Sequence, residues 1–300
     1  MTKTTTQTKT PPYSGTVGWC GLGAMGAVMA PRLAGRADSL SGYDINPDAA
    51  KPAGVQRADQ LRELSAADCI ITMLPDGHTV RQVAETLMKD GFSGLLIDMS
   101  SSHPKDSRAL AEEVSKAGGR FIDAPVSGGV AKAASGDLMI MAGGTDADIR
   151  EATPLLAALG TVQPVGPVGA GHAMKALNNY VSAAGLLASF QALATAKTAG
   201  IAPETFVQVI NGSTGRNNTT EVKLNKFVLT EAYNSGFALQ LMAKDVNIAR
   251  QLIEAAGYSE APTSALASCL DEAVNSLGRE ADHTELFRYL SERPAHQGSR

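Results

Sequence analysis

The chain has 300 residues, 44% of them hydrophobic and 19% charged, with a formal net charge of -4. This length allows two domains with a substantial core, and the lack of a basic excess excludes the electrostatic footprint of a nucleic-acid or membrane-surface binder. Any small anionic ligand must therefore be met by local positive groups.

The opening residues, MTKTTTQTKTPPYSG, are polar and rich in threonine, without the apolar run of a secretory signal, and residues 1–14 read as a disordered tail. Cys20, Cys69 and Cys269 are few, odd in number and set among apolar neighbours. They read as buried thiols in a reducing cytoplasm, and no metal site is expected.

From Thr16 short apolar runs alternate with helical patterns, at 17–20, 39–43, 69–74, 95–99, 121–123 and 138–142. That rhythm predicts an α/β domain, a doubly wound parallel sheet with helices on both faces, over residues 15–170. The first run leads into Gly21-Leu22-Gly23-Ala24-Met25-Gly26, and 27–33 reads as a helix. Gly21 permits a tight turn, Gly23 lets the backbone approach a pyrophosphate, and Gly26 lets helix and strand pack closely. A glycine-rich turn also occurs without a ligand; the strand before it and the helix after it favour a Rossmann dinucleotide site.

The second run ends at Asp44, about twenty residues on, where a carboxylate accepts from adenine-ribose hydroxyls. It would repel a 2′-phosphate, and Ile45 and Asn46 bring no arginine to offset it, so NAD is expected rather than NADP. The alternative is that Asp44 caps the turn Asn46-Pro47-Asp48. Met73-Leu74-Pro75 and Ser100-Ser101 follow later runs, where strands open onto a ligand crevice or simply end in turns.

Asp123-Ala124-Pro125-Val126-Ser127-Gly128-Gly129 combines small residues with one hydroxyl. It reads either as a carboxylate cradle of backbone N–H groups or as a flexible turn. Residues 160–171, rich in glycine and proline, end the strand pattern. A long helix from about His172 carries Lys175 and, one turn later, Asn179 on the same face, so an ammonium and an amide converge. Lysines at helix starts are ordinarily solvated, but apolar Ala173, Met174, Ala176 and Leu177 suggest partial desolvation and a lowered pKa. The apolar stretch 180–196, interrupted by Ser182, Ser189 and Gln191, suits a core helix rather than a membrane span.

Further helices are expected at 203–210, 218–228, 240–256 and 261–277, which makes residues 171–300 an all-helical substrate and oligomerisation domain. Within it Lys244-Asp245 lies on an otherwise apolar helix and reads on its own as a routine surface pair.

Together these elements resemble the β-hydroxyacid dehydrogenase family, in particular its 3-hydroxyisobutyrate dehydrogenase branch, from about Val17 to Arg288. Four motifs stand in family order: Gly21 to Gly26, Asp123 to Gly129, Gly166 to Asn179, and Lys244-Asp245. The resemblance implies that Ser127, Gly128 and Gly129 hold a substrate carboxylate, Lys175 is the acid/base and Asn179 orients the substrate. It also implies that Lys244 reaches the cofactor and that Met73, Leu74 and Pro75 line the nicotinamide side. Ser101 stands where the family often has threonine, which keeps the hydroxyl. Asn217 and Asn218 replace bulkier residues and would suit a more hydroxylated acid.

The activity so implied is NAD-dependent interconversion of a small β-hydroxy acid and its aldehyde acid, by a cytoplasmic homodimer or homotetramer. Two alternatives stand beside it. One is a reductase of tartronate semialdehyde or a related sugar acid working in the opposite direction; the other is a non-catalytic nucleotide-binding scaffold, against which Lys175, Asn179 and Ser127 together argue.

Overall fold

The computed structural model describes residues 13–292, and the chain divides into two compact units, Met1–Lys175 and Ala176–Arg300. Of the expected tail, residues 1–12 lie outside the described residues. Tyr13 does not belong to a tail: it is buried in the first unit's core, and its N–H donates to the Arg36 carbonyl at 2.8 Å.

In the first unit β1 (Thr16–Cys20) leads through the glycine loop into α1 (Gly26–Met29), which tightens into a 3₁₀ turn at Ala30–Leu33. Pro31 lacks the N–H that another α-helical turn would use. β2 (Ser39–Tyr43), the two-residue β3 (Gln56–Arg57), β4 (Cys69–Thr72), α2 (Gly77–Lys89), β5 (Leu95–Asp98), α3 (Pro104–Lys116) and β6 (Arg120–Asp123) follow. β7 (Val126–Ser127), α4 (Gly129–Ser135), β8 (Leu138–Gly143), α5 (Asp146–Leu156) and β9 (Gly160–Gly166) complete the sheet.

The strand order is β3-β2-β1-β4-β5-β6-β8-β7, with β9 beside β8. Side chains alternate between faces, so neighbours in sequence serve different cores. Ile71, Ile97 and Ile122 join Met29, Leu33, Ile149 and Leu155 on one face, while Ile70, Leu96 and Phe121 join Val80, Leu87, Leu110 and Val114 on the other.

Two expectations are corrected. The strands from β3 to β6 are parallel, but β8 runs antiparallel to β6 and β7. An apolar run carries no information on strand direction, and β7 turns back on β8 with Val126 opposite Ile140 and Ser127 opposite Met139. The glycine- and proline-rich stretch expected to end the strands instead forms β9, parallel to β8. Pro164 is tolerated there because β9 pairs with β8 in the described residues and leaves its other side unpaired.

α6 (Ala170–Thr198) is one continuous helix of 29 residues. The second unit continues with α7 (Pro203–Asn211), a π-helical segment (Thr219–Val228), α8 (Leu239–Ala255), α9 (Ala261–Leu277) and α10 (Leu286–Glu292). Its core takes Ala183, Leu186, Phe190 and Leu193 from α6 with Val207, Leu224, Met242, Val246 and Leu270, and Phe190 meets Phe287 edge-on at 5.6 Å between centroids. The expected boundary near residue 170 falls at the first residue of α6, whereas the units divide after Lys175. The first turns of α6 belong with the sheet because Asp123 holds them there, as described below.

Candidate functional site

The strand order reverses at β1: the chain goes first to β2 on one side and later to β4 on the other, so the carboxyl ends of β1 and β4 form the switch point where ligands of such sheets bind. The glycine loop and Met73-Leu74-Pro75 lie there side by side. Gly21 has φ +97°, and a Cβ on it would stand 2.2 Å from the Met73 carbonyl oxygen. A Cβ on Gly26 would stand 1.9 Å from the Gly21 carbonyl oxygen, so helix and loop touch through their backbones. At Gly23 a Cβ would meet no atom within 4 Å among the described residues. This loop is closed at its two ends and open at its middle, which fits a pyrophosphate laid against Gly23.

Asp44 closes the far end. Its Oδ2 accepts from the Leu22 N–H at 2.6 Å and its Oδ1 from the Asn46 N–H at 2.8 Å, so it serves the glycine loop and the following turn at once. The structure adds a residue that sequence reading missed. Arg57, on β3, donates from Nη2 to the carbonyls of Asp44 and Asn46, both at 3.0 Å. The cation sought beside Asp44 arrives thirteen residues later, on a strand too short to leave a pattern. Tyr43, Asp44, Lys51, Arg57 and Ala58 line a cavity of about 180 Å³.

Beyond β5, Asp98 is buried and accepts from Thr72 Oγ1, the Ser100 N–H and Ser102 Oγ at 2.9–3.0 Å. The Leu74 N–H donates to Ser100 Oγ at 2.9 Å, tying the loop after β4 to the loop after β5. Of the three serines, Ser100 and Ser102 are buried in this network and Ser101 is half-buried.

Beyond β6, Ser127 is half-buried and Gly128 and Gly129 are exposed. Gly128 (φ +144°) and Gly129 (φ +71°) hold a backbone that suits glycine, with open space around the Gly129 Cα. Lys175 Nζ donates to the Val126 carbonyl at 2.8 Å, so the amine lies against the segment that carries Ser127 to Gly129. The apolar neighbours credited with desolvating it do not all do so: Met174 is 43% and Leu177 38% exposed. Lys175 is half-buried on a different helix face from theirs.

What holds Lys175 in place is a buried polar cluster. Asp123 accepts from the Gly169 N–H at 2.7 Å and the His172 N–H at 2.8 Å, capping the start of α6 with both oxygens. Burial pushes its carboxyl above the ordinary range, opposed by the neighbouring His172 and by those two amides. The His172 ring, fully buried, lies between two carboxylates: Nε2 is 3.6 Å from Asp98 Oδ2 and Nδ1 is 3.6 Å from Asp123 Oδ2.

In the second unit Asn179 is buried, and its Nδ2 donates to Asp245 Oδ2 at 2.5 Å. Asp245 is 2% exposed, which corrects the reading of Lys244-Asp245 as a surface pair; Lys244 itself is half-buried on α8. Asn217 is occupied by its own chain: Oδ1 accepts from the Thr219 N–H, and Nδ2 donates to Ser189 Oγ and the Gly215 carbonyl. It caps a turn, and the case for a more hydroxylated substrate loses it. Asn218 is exposed. A signal for His172 and Asn179 was present: with Lys175 they extend the buried stripe Ala183, Leu186, Phe190 along α6, and polar residues in such a stripe need partners.

Comparison with known proteins gives the family of the chain. Residues 16–169 match the family model for the NAD binding domain of 6-phosphogluconate dehydrogenase, and 169–290 match that for the NAD-binding region of NADP-dependent 3-hydroxyisobutyrate dehydrogenase. The chain is 33% identical to 2-(hydroxymethyl)glutarate dehydrogenase of Eubacterium barkeri, over 87% of this chain and 90% of that protein. It is 35% identical to mitochondrial 3-hydroxyisobutyrate dehydrogenase of Mus musculus, over 92% and 87%. The structure of Mycobacterium tuberculosis 3-hydroxyisobutyrate dehydrogenase with L-serine superposes with a TM-score of 0.84 at 30% identity, covering 92% of this chain and 99% of that one.

Fold and site thus define an oxidoreductase of CH–OH groups that uses a nicotinamide dinucleotide. The chain belongs to the β-hydroxyacid dehydrogenase family, in its 3-hydroxyisobutyrate dehydrogenase branch. Among the described residues no helix is long and apolar enough to cross a membrane.

Proposed function

We propose that the protein interconverts a 2-substituted 3-hydroxypropanoate and the matching aldehyde acid, with NAD preferred and Lys175 as acid/base. The observation that carries this reading is the 2.8 Å bond from Lys175 Nζ to Val126 O, which sets an amine beside the open loop Ser127-Gly128-Gly129. The loop suits a carboxylate, and the amine then reaches a hydroxyl one or two carbons away. The relatives support the substrate class. 3-Hydroxyisobutyrate, 2-(hydroxymethyl)glutarate and L-serine all carry a hydroxymethyl group on the carbon that bears the carboxylate.

A nicotinamide dinucleotide held along Gly21 to Gly26 and Asp44 would supply or take up the hydride. In oxidation neutral Lys175 takes the hydroxyl proton on Nζ, and in reduction it returns that proton; the Val126 carbonyl aims the amine. Ser127 and the amides of Gly128 and Gly129 fix the carboxylate, while Asn179, one turn beyond Lys175, orients the substrate. Met73, Leu74, Pro75 and Ser101 are assigned to the nicotinamide side, and the role of Lys244 at the cofactor rests on the family resemblance. Gly21 to Gly26 cradle the pyrophosphate. Preference for NAD rests on the Asp44 carboxylate, which would repel a 2′-phosphate, while Arg57 Nη2 is engaged with two backbone carbonyls.

We assign the enzyme to the cytoplasm as a homodimer or homotetramer. The free thiols of Cys20, Cys69 and Cys269 fit a reducing compartment, and exposed Val181 and Val209 on the helical unit fit a subunit contact. The test is initial rates with NAD and NADP over 3-hydroxyisobutyrate, 2-(hydroxymethyl)glutarate, glycerate, threonate and L-serine, for the parent and Lys175→Ala. Turnover should fall by about 10² to 10⁴ in the variant while cofactor affinity stays near that of the parent. Near-normal turnover sinks the assignment.

A further inference from the structure

We propose that His172 is a positioning residue for Lys175: its buried ring ties the first turn of α6 to the Ser100 carbonyl after β5 and to Ser107 on α3, and so sets where the amine stands. The proposal rests on the reading of Lys175 as acid/base.

Both ring nitrogens are engaged. Nε2 lies 3.2 Å from the Ser100 carbonyl oxygen, an acceptor, so Nε2 carries a proton. Nδ1 lies 2.7 Å from Ser107 Oγ on α3, and that hydroxyl is also 3.3 Å from the His103 carbonyl oxygen. The ring keeps both contacts, with Asp98 and Asp123 each 3.6 Å away.

Three segments therefore meet on one side chain. Asp98 ends β5 and Ser100 lies in the loop after it, which is tied to Leu74. Asp123, 3.6 Å from the ring, opens the segment that runs to Ser127 and caps α6 through the backbone N–H groups of Gly169 and His172. Ser107 belongs to α3. Lys175 is the residue one turn beyond His172 on the same helix, and its Nζ reaches Val126, three residues after Asp123. A shift of α6 relative to β6 would change the separation between the amine and the Ser127-Gly128-Gly129 loop, and a misplacement of about 1 Å costs up to about 100-fold in rate. The close packing at the helix start shows how little slack exists: a Cβ on Gly171 would stand 2.4 Å from the Met141 carbonyl oxygen and 2.7 Å from that of Asp123.

The experiment compares the full chain with His172→Ala and His172→Gln; glutamine keeps one donor and one acceptor. Two readouts are taken: steady-state kinetics, and the rate at which an amine-reactive ester labels Lys175, followed by peptide mass spectrometry at fixed pH. His172→Ala should lower kcat about 10- to 100-fold, with KM and cofactor Kd within about threefold, and should raise Lys175 labelling at least about threefold. His172→Gln should recover kcat to within about fivefold of the parent. The proposal is overturned by parent-like kcat in His172→Ala, by equal labelling in all three proteins, or by a glutamine variant no better than alanine.

Should His172→Ala not fold, Ser107→Ala removes the Nδ1 partner alone, and parent-like kcat and labelling there overturn the proposal equally. Labelling does not depend on turnover. A failure of the acid/base reading, seen as an active Lys175→Ala, is thus distinguishable from a failure of the positioning role.

Discussion

Lys223 is the residue whose environment yields the most quantitative expectation. It lies in the π-helical segment Thr219–Val228, with Nζ 3.4 Å from Ser182 Oγ. Burial pushes its pKa down from 10.5 to about 8, opposed by the Asp282 carboxylate. Between those values the unfolded chain holds a proton that the folded chain has released, so stability rises with pH across the window from about 8 to 10.5; below it the whole penalty is present. The gap corresponds to roughly 3 kcal/mol, or ~2 kcal/mol once residual hydration of the amine is allowed for. Lys223→Met keeps the stem and removes the charge. At pH 7.5 it should stabilise the protein by ~1–2 kcal/mol, a rise of about 1 M in the urea midpoint, and it should remove most of the pH-dependent gain seen in the parent between pH 8 and 10.

His283 gives an independent readout. Its pKa is pushed down to about 4, first by burial and next by the Lys223 charge. In Lys223→Met the imidazole should therefore titrate at higher pH by NMR. A variant less stable than the parent at pH 7.5, with the same slope above pH 8, would refute the reasoning.

Four further substitutions separate fold from site. Gly23→Ala should leave the urea midpoint near that of the parent and weaken cofactor binding at least about tenfold, whereas Gly26→Ala, with 1.9 Å to the Gly21 carbonyl, should cost ~2 kcal/mol or more of stability. Equal behaviour of the two in calorimetry and cofactor titration defeats that division. Asp44→Ala should weaken NAD and narrow the gap to NADP, read by titrating both; unchanged NAD affinity rules out the ribose contact. Asp245→Ala leaves the buried Asn179 amide without its carboxylate partner and should cost ~1–3 kcal/mol, with reduced turnover. Parent-like stability in urea would show that the pair is not holding α6 to α8.

Much of this architecture was legible in advance for local reasons. Runs such as 39–43 and 261–277 coincide with β2 and α9 because burial writes a period of two or of 3.6 into adjacent residues. The glycine loop was legible because Gly21 and Gly26 answer close backbone approaches that other residues cannot make. What failed to show were features without a local period: the two-residue β3 that brings Arg57 to Asp44, the antiparallel direction of β8, and the strand β9 hidden under glycine and proline. Tyr13 was lost to the polarity of its neighbours.

The chain itself determined the sheet-and-helix alternation, the dinucleotide loop, the helical second half and the motif residues Ser127, Lys175 and Asn179, since each depends on residue type at short spacing. Tertiary structure alone decided which of them have partners. Asp98, Asp123 and His172 lie up to 74 positions apart, and only the parallel register of β5 beside β6, with α6 capped by Asp123, brings them into one buried cluster beside Lys175. A lysine's surroundings are set by what folds against it rather than by its neighbours in sequence. That is why Met174 and Leu177, beside Lys175 in sequence, are exposed while Lys175 is half-buried, and why the carbonyl of Val126, 49 positions away, did not appear until the chain was folded.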